Sequence, residues 1–390
     1  MTAWSSGKTG MAMDSQPTAP AGMNTRRLFA QFTEEEILLE QGRLLFSLLN
    51  AFVRGGYTVC LFDNHTTEAL GKYGSLVLGL DGVTLTKVMP EDTTGWIYLY
   101  DREDRATGKR PWRRKLRVRF DLFSPYWFSA PIVMPFPMHP QQAGARSEEL
   151  AIHRSTQRQM RVFFSGDSKG YSRNRVRFPK PKLPRLEVIQ SIMQQPDEAV
   201  LILQNPATLK DPDSSAHRGK IVIADPEGTW IDPDEWLATL ALSDFFLSPP
   251  GIVMPMCHNI VEAMAVGTIP ITNYPEWFVP PLEDMRNCIV FDDHDDLIAK
   301  LRLAMDMPAT EIARMKNHVI DYYENQLRPE IFVRRIESRP DKKITVLMYT
   351  ERNMALNSKR LGRHSVLFRR AGAGGKPTWK QLITARLAKQ

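Results

Sequence analysis

The sequence predicts two α/β domains, each a parallel sheet wound with helices, facing one another across a cleft. Three observations lead there. The 390 residues suffice for two domains of ordinary size. Between residues 161 and 325, short apolar strand-like runs alternate with helix-like stretches, the pattern of a parallel sheet covered on both faces. Near the N-terminus, a helical apolar repeat, the pair Gly55-Gly56 and a strand-like run at 57–62 make half of another such unit.

Residues 1–24, rich in Ser, Thr, Gly, Ala and Pro, read as a disordered leader. Residues 27–32 supply a first strand. Thr33 is a good N-cap and Glu36 stands three residues later, so a capping box is expected to open a helix there. Ile37, Leu38, Leu44, Leu45, Leu48, Leu49 and Phe52 continue it at helical spacing, and Gly55-Gly56 ends it. Further strands are expected at 57–62, 83–88, 96–100, 116–120 and 132–136, which completes a first domain over 25–140. The Pro-rich stretch leading into 141–160 reads as a linker, because Pro interrupts both helix and sheet.

The second domain, 161–340, carries strand candidates at 161–164, 199–203, 220–224, 245–247, 268–272 and 288–291. Helices are expected between them at 184–194, 232–242, 258–266 and 295–305, and a last one at 309–325. Residues 341–390 read as a basic C-terminal tail, with a further strand candidate at 344–349.

Composition narrows the class. Hydrophobic content of 43% and charged content of 24% are those of a globular chain. No apolar run reaches the roughly 18 residues of a membrane-spanning helix, and the N-terminus lacks the basic start and apolar core of a signal peptide. The three cysteines, Cys60, Cys257 and Cys288, are too far apart for a zinc site or a disulfide framework. Reduced thiols and a cytoplasmic location are expected. The net charge of +7 gathers at 102–119, at 154–182 and beyond Lys342. Such clusters suit phosphate-bearing substrates, nucleic acid or an anionic membrane surface, and equally a solvated face. No aromatic-interleaved basic motif is present, so no nucleic-acid partner is expected.

The most informative stretch is LSPPGIVMPMCHNIVEAMAVGTIPI, residues 247–271. It reads as a buried strand ending at Leu247, a Pro249-Pro250-Gly251 turn, a helix that stops at Gly267, and another strand. In an open α/β sheet the loop after a strand and the first turn of the next helix form the ligand crevice. Glu262 is the helix's one carboxylate, and His258 lies one turn before it on the same face. A carboxylate can accept hydrogen bonds from two vicinal hydroxyls. A solvated or capping role is the alternative for Glu262, and a capping or packed one for His258, which could otherwise donate to a phosphate or sugar hydroxyl.

This segment resembles the sugar-nucleotide half of GT-B glycosyltransferases. It is similar to the exostosin-like and group-1 signature, whose Glu-Ala-(x)n-Gly-x-x-Pro core matches Glu262-Ala263-Met264-Ala265-Val266-Gly267-Thr268-Ile269-Pro270. The likeness covers roughly 161–335. It implies two Rossmann-like domains facing a cleft, a nucleotide-sugar donor on the second and a glycan or lipid-linked acceptor on the first. It places the ribose hydroxyls of the donor on Glu262. Group-1 enzymes often carry another glutamate eight positions earlier, where this chain has Met254.

Other candidates surround this motif. In 163–178, Gly166 and Gly170 let backbone amides approach a ligand, and Lys169, Arg173 and Arg175 suit a leaving diphosphate. A basic surface loop is the plainer reading. Tyr274 and Trp277 suit either the donor pocket or the core. The run 292–296 looks metal-like, yet its acids fit an N-cap before Leu297 better. No Asp-x-Asp follows a strand, so no metal and no other cofactor is expected. Asp63 and His65 follow the strand 57–62 at its C-terminal end, where either could act as general base, or Asp63-Asn64 could simply turn the chain.

The sequence thus points to a metal-independent glycosyltransferase, with peripheral membrane contact through the basic tail as a further expectation. The rival is a binding protein with the same fold that lost the chemistry and associates with anionic surfaces or nucleic acid. Met254 and the basic tail favour it.

Overall fold

The computed structural model describes residues 26–63, 70–127, 129–167, 174, 176–196, 198–210, 216–224 and 229–369. The first lobe runs β1 (Arg26–Gln31), α1 (Arg43–Arg54), β2 (Tyr57–Phe62), α2 (Gly71–Gly74), β3 (Val83–Thr86), β4 (Ile97–Tyr100), α3 (Arg105–Gly108), β5 (Arg114–Arg119) and β6 (Ile132–Val133). The second runs α4 (Ser147–Ser155), β7 (Met160–Ser165), α5 (Arg185–Met193), β8 (Val200–Ile202), β9 (Ile221–Ala224), α6 (Trp236–Leu240), β10 (Ser243–Ser248), α7 (His258–Ala265), β11 (Ile269–Thr272), β12 (Ile289–Val290), α8 (His294–Asp306) and α9 (Ala309–Tyr322). Three elements close the described chain: α10 (Pro329–Glu337), β13 (Lys343–Leu347) and α11 (Glu351–Asn357). Among the described residues no helix is long and apolar enough to cross a membrane.

Both sheets are parallel. The first orders its strands β3-β2-β1-β4-β5-β13-β6 and the second β12-β11-β10-β7-β9-β8. Their strands read as apolar runs because helices cover both faces: all four residues of β4, of β9 and of β11 are buried. In the first sheet the chain reverses direction between β1 and β4. In the second it reverses between β7 and β10. Ligand crevices form outside such switch points, at the C-terminal ends of the strands.

The expected strands of both lobes are present, most within one or two residues, whereas 83–88 and 132–136 stop short. Two expectations are corrected. The first is the capping box. Thr33 caps nothing; its N–H donates to both carboxylate oxygens of Asp101 at 3.0 Å, and Glu34 N–H donates to the same group at 2.7 Å. Glu36 instead accepts from Thr350 Oγ1 and Asn353 Nδ2, both at 2.9 Å. Residues 35–42 form two tight 3-10 turns, and the α-helix begins only at Arg43. The apolar period runs through the break because the same face still meets the core, so it conceals the loop.

The second correction concerns the boundary at 340. Phe332, Val333 and Ile336 of α10 and Ile344 and Val346 of β13 belong to the core of the first lobe. Gly55 lets α1 approach α10 closely: a Cβ there would lie 2.7 Å from Val333 Cγ1. The segment assigned by sequence to the end of the second domain and to a tail therefore completes the first sheet. β13 pairs with β5 on one side and β6 on the other. After β13 the chain returns once more, and Tyr349, Met354, Leu361 and Leu367 join the core of the second lobe. The stretch read as a linker also contributes: it contains α4, whose Leu150 is buried in that core.

Candidate functional site

The site grows from the two switch points. Helix α7 starts at His258 behind an extended Cys257, in the loop after β10. It ends at Gly267, whose φ of +75° places it in the left-handed region. Gly267 N–H donates to Met264 O and Thr268 N–H to Ala263 O, the paired bonds of a Schellman stop. Glycine and the following strand thus hold the helix that carries Glu262 and His258 in one position.

Glu262 is 1% exposed. Oε1 accepts the His139 N–H at 2.7 Å and Oε2 accepts Trp236 Nε1 at 2.6 Å. Desolvation raises its pKa to about 7, outweighing the two hydrogen bonds, which favour the anion. His258 is half-buried, and desolvation together with the Arg43 charge depresses its pKa to about 3, so the ring is neutral. Its Nδ1 lies 2.8 Å from Pro137 O and its Nε2 3.0 Å from Arg43 Nη1. A carbonyl can only accept and a guanidinium only donate, so Nδ1 carries the proton and Nε2 accepts. With both ring nitrogens engaged, His258 has no N–H left for a phosphate or sugar hydroxyl in this arrangement.

Arg43 joins the lobes. It is the first residue of α1, and its Nη2 donates to Glu40 Oε2 at 3.1 Å. Glu40 Oε1 accepts the Glu351 N–H, also at 3.1 Å. Burial raises the pKa of Glu40, more than Arg43 lowers it. Three consecutive residues here have left-handed backbone: Glu40 at φ +56°, Gln41 at +60° and Gly42 at +81°. Such conformations cost about 1–3 kcal/mol at each non-glycine position and cluster at working sites. Only glycine fits at 42, where a Cβ would meet Leu70 O at 2.2 Å. Glu40, Arg43 and His258 border a cleft cavity of about 20 Å³, room for roughly one water-sized group. Leu44, Met134, Phe136 and Met348 supply its apolar walls.

On the second lobe, Gly166 follows β7, and Asn259 Nδ2 donates to Ser165 O at 3.2 Å, fixing that strand end against α7. Arg185, at the start of α5, donates to Asp167 O at 2.9 Å and lies beside Gly166. An open basin of about 540 Å³ continues along this edge, lined by Asn174, Arg177, Lys182 and Asp292.

Of the residues expected from the sequence, the structure brings Gly166, His258 and Glu262 to the crevice of the second lobe. Asp63 stays with β3: its N–H donates to Thr86 O, and its carboxylate lies 4.0 Å from Lys87 Nζ. His65, Lys169, Arg173 and Arg175 lie outside the described residues. Tyr274 and Trp277 are fully buried core residues. Asp293 caps α8 by accepting the Asp296 N–H at 3.0 Å, as its acidic run suggested. Glu40, Arg43 and Arg185 were missed. The one legible signal was Gly42 standing inside an otherwise helical period.

Two parallel α/β lobes that meet at their switch points are the arrangement of a GT-B-like fold. No family model matches the chain, and no curated protein matches it. Among solved structures it is similar to HepE of Anabaena, solved in complex with UDP, at 12% identity and a TM-score of 0.43, covering 80% of this chain and 98% of that one. A glycosyltransferase of Rickettsia africae shares 9% identity at a TM-score of 0.45, covering 81% and 97%. An α-glucosyltransferase, solved with UDP and a 13-mer DNA containing a central A:G mismatch, shares 14% at a TM-score of 0.39, covering 81% and 99%. With all three scores below 0.5, the site's assignment rests on the residues of this chain.

Proposed function

We propose that this protein is a glycosyltransferase of the exostosin-like and group-1-like type, moving a sugar from a nucleotide-sugar donor to a hydroxyl of a glycan or lipid-linked acceptor without a metal. The observation that carries this reading is Glu262. A carboxylate this deeply buried, at the second switch point, keeps two N–H donors at 2.6 and 2.7 Å. Each oxygen accepts one N–H and has capacity for a second bond, which two vicinal ribose hydroxyls supply on binding. Charge on the departing diphosphate falls to Arg43 and Arg185, with Lys169, Arg173 and Arg175 as further cations from the sequence. His258 serves by holding Arg43 across the cleft. Asp63, after β2, and His65, from the sequence, are further candidate bases of the acceptor lobe.

The protein acts in the cytoplasm, with Lys376, Lys380, Arg386 and Lys389 providing contact with anionic lipid. The test is a thermal-shift and calorimetry screen against UDP, GDP, ADP and CMP, followed by donor turnover with and without EDTA. A ligand that binds only the native state raises its stability, so one nucleotide should stabilise the protein selectively. Turnover should survive chelation. Binding without turnover would favour the inactive relative, and no binding at all would refute the reading.

A further inference from the structure

The cleft holds a carboxylate that the sequence motif does not account for. Glu40 sits on a left-handed turn at the C-terminal end of β1, opposite the helix that carries Glu262 and His258. Each of its oxygens receives one N–H, from Glu351 and from Arg43, both at 3.1 Å. A carboxylate oxygen accepts two hydrogen bonds, so among the described residues each keeps one acceptor position free. The cavity it borders admits about one water-sized group, the size of a hydroxyl. Beyond that polar corner the walls are mainly apolar, with Leu44, Met134, Phe136, Met348 and Tyr349 beside Ser47. The turn is held from outside, because Glu36 and Glu40 both bind the segment after β13.

Building on the transferase reading, we propose that Glu40 takes the proton of the acceptor hydroxyl, which occupies the cavity beside it. The acceptor oxygen attacks the anomeric carbon as its proton passes to the Glu40 carboxylate. The bond from that carbon to the diphosphate oxygen breaks, and its electron pair leaves with the nucleoside diphosphate. The products are the glycoside, inverted at the anomeric carbon, and a protonated Glu40 that releases its proton to solvent. Burial raises the pKa of this carboxyl toward the range in which a general base is effective.

The test uses the full chain, the nucleotide sugar matching the nucleotide bound in the screen, and octyl β-glucoside as the acceptor. Glu40→Gln should lower kcat by about 10²–10⁴-fold and remove the acid limb of the pH profile, while nucleotide affinity stays within about threefold. If Glu40→Gln does not fold, Glu40→Asp should still bind nucleotide and lose at least about tenfold in kcat. Full turnover in a folded Glu40 variant, a retained anomeric configuration or no transfer to this acceptor overturns the proposal. Failure of wild type to bind any nucleotide defeats the transferase reading and this one together. Binding and transfer that ignore Glu40 defeat only this one.

Discussion

Glu262 is anionic only at the expense of its burial, and the sign of that effect can be measured. Its folded pKa, about 7, stands above the ordinary 4.5 of a glutamate. Between these values the folded state binds more protons than the unfolded, so stability falls as pH rises. The contribution is complete below pH about 4.5 and gone above about 7, and amounts to about 3 kcal/mol. Urea denaturation of wild type and Glu262→Gln across pH 4.5 to 8 should show wild type losing stability relative to the variant. A flat difference would contradict the assignment. Glu262→Ala leaves two buried N–H donors unpaired, at about 1–3 kcal/mol each, and should weaken nucleotide binding measured by calorimetry. Asp101 is the matching buried acid of the first switch point, 3% exposed and accepting from Thr33, Glu34 and Arg102. Asp101→Ala should cost about 3 kcal/mol or more in the same denaturation assay, with nucleotide affinity of the folded fraction preserved. Glu262 was legible in the sequence because its neighbours Gly267 and Pro270 mark a helix stop and a strand start. Glu40 and Arg43 were not, because they carry no motif and sit inside an unbroken helical period.

The turn at 35–42 shows where that period misleads. Hydrophobic spacing reports which side chains face the core, not whether the backbone between them is helical. Ile37 and Leu44 are both buried, yet the chain between them passes through three left-handed residues. The cue that outweighs the period is Gly42. Gly42→Ala should destabilise the protein by about 1–3 kcal/mol from φ alone, with the clash against Leu70 O and Gly74 N adding to it. Gly56→Ala makes a useful contrast, since that residue also has φ of +81° but nothing lies within 4 Å of its Cβ position. Gly42→Ala should therefore be the more damaging in urea denaturation. The second lobe was read more fully because its strands and helices alternate without interruption, and local signals such as the Asp293 cap agree with the packing.

At the scale of the whole molecule, the sequence placed each strand but could not say to which lobe the last one returns. Strand β13 reads as an apolar run wherever it is inserted, and its neighbours in the sheet, β5 and β6, lie far away along the chain. The tail expectation fails for the same reason. Leu361 and Leu367 are 7% and 5% exposed, and Phe368 packs edge-on against Trp277 with ring centroids 5.6 Å apart. A chain ending at Lys359 should lose about 3–6 kcal/mol for the two leucines, visible as a lower melting temperature. One ending at Arg369 should keep its melting temperature and lose affinity for anionic vesicles at low salt, which co-sedimentation measures. The insertion of β13 also orders events during synthesis. At about 5–20 residues per second, the ribosome needs roughly 10–40 s between delivering β6 and delivering β13. Until then β6 has no strand to pair with and one edge of β5 is open. The strands of the second sheet are all made in that interval. The sheet begun first is therefore finished last, and a nascent chain stalled before β13 presents a bare sheet edge to chaperones and to other copies of itself.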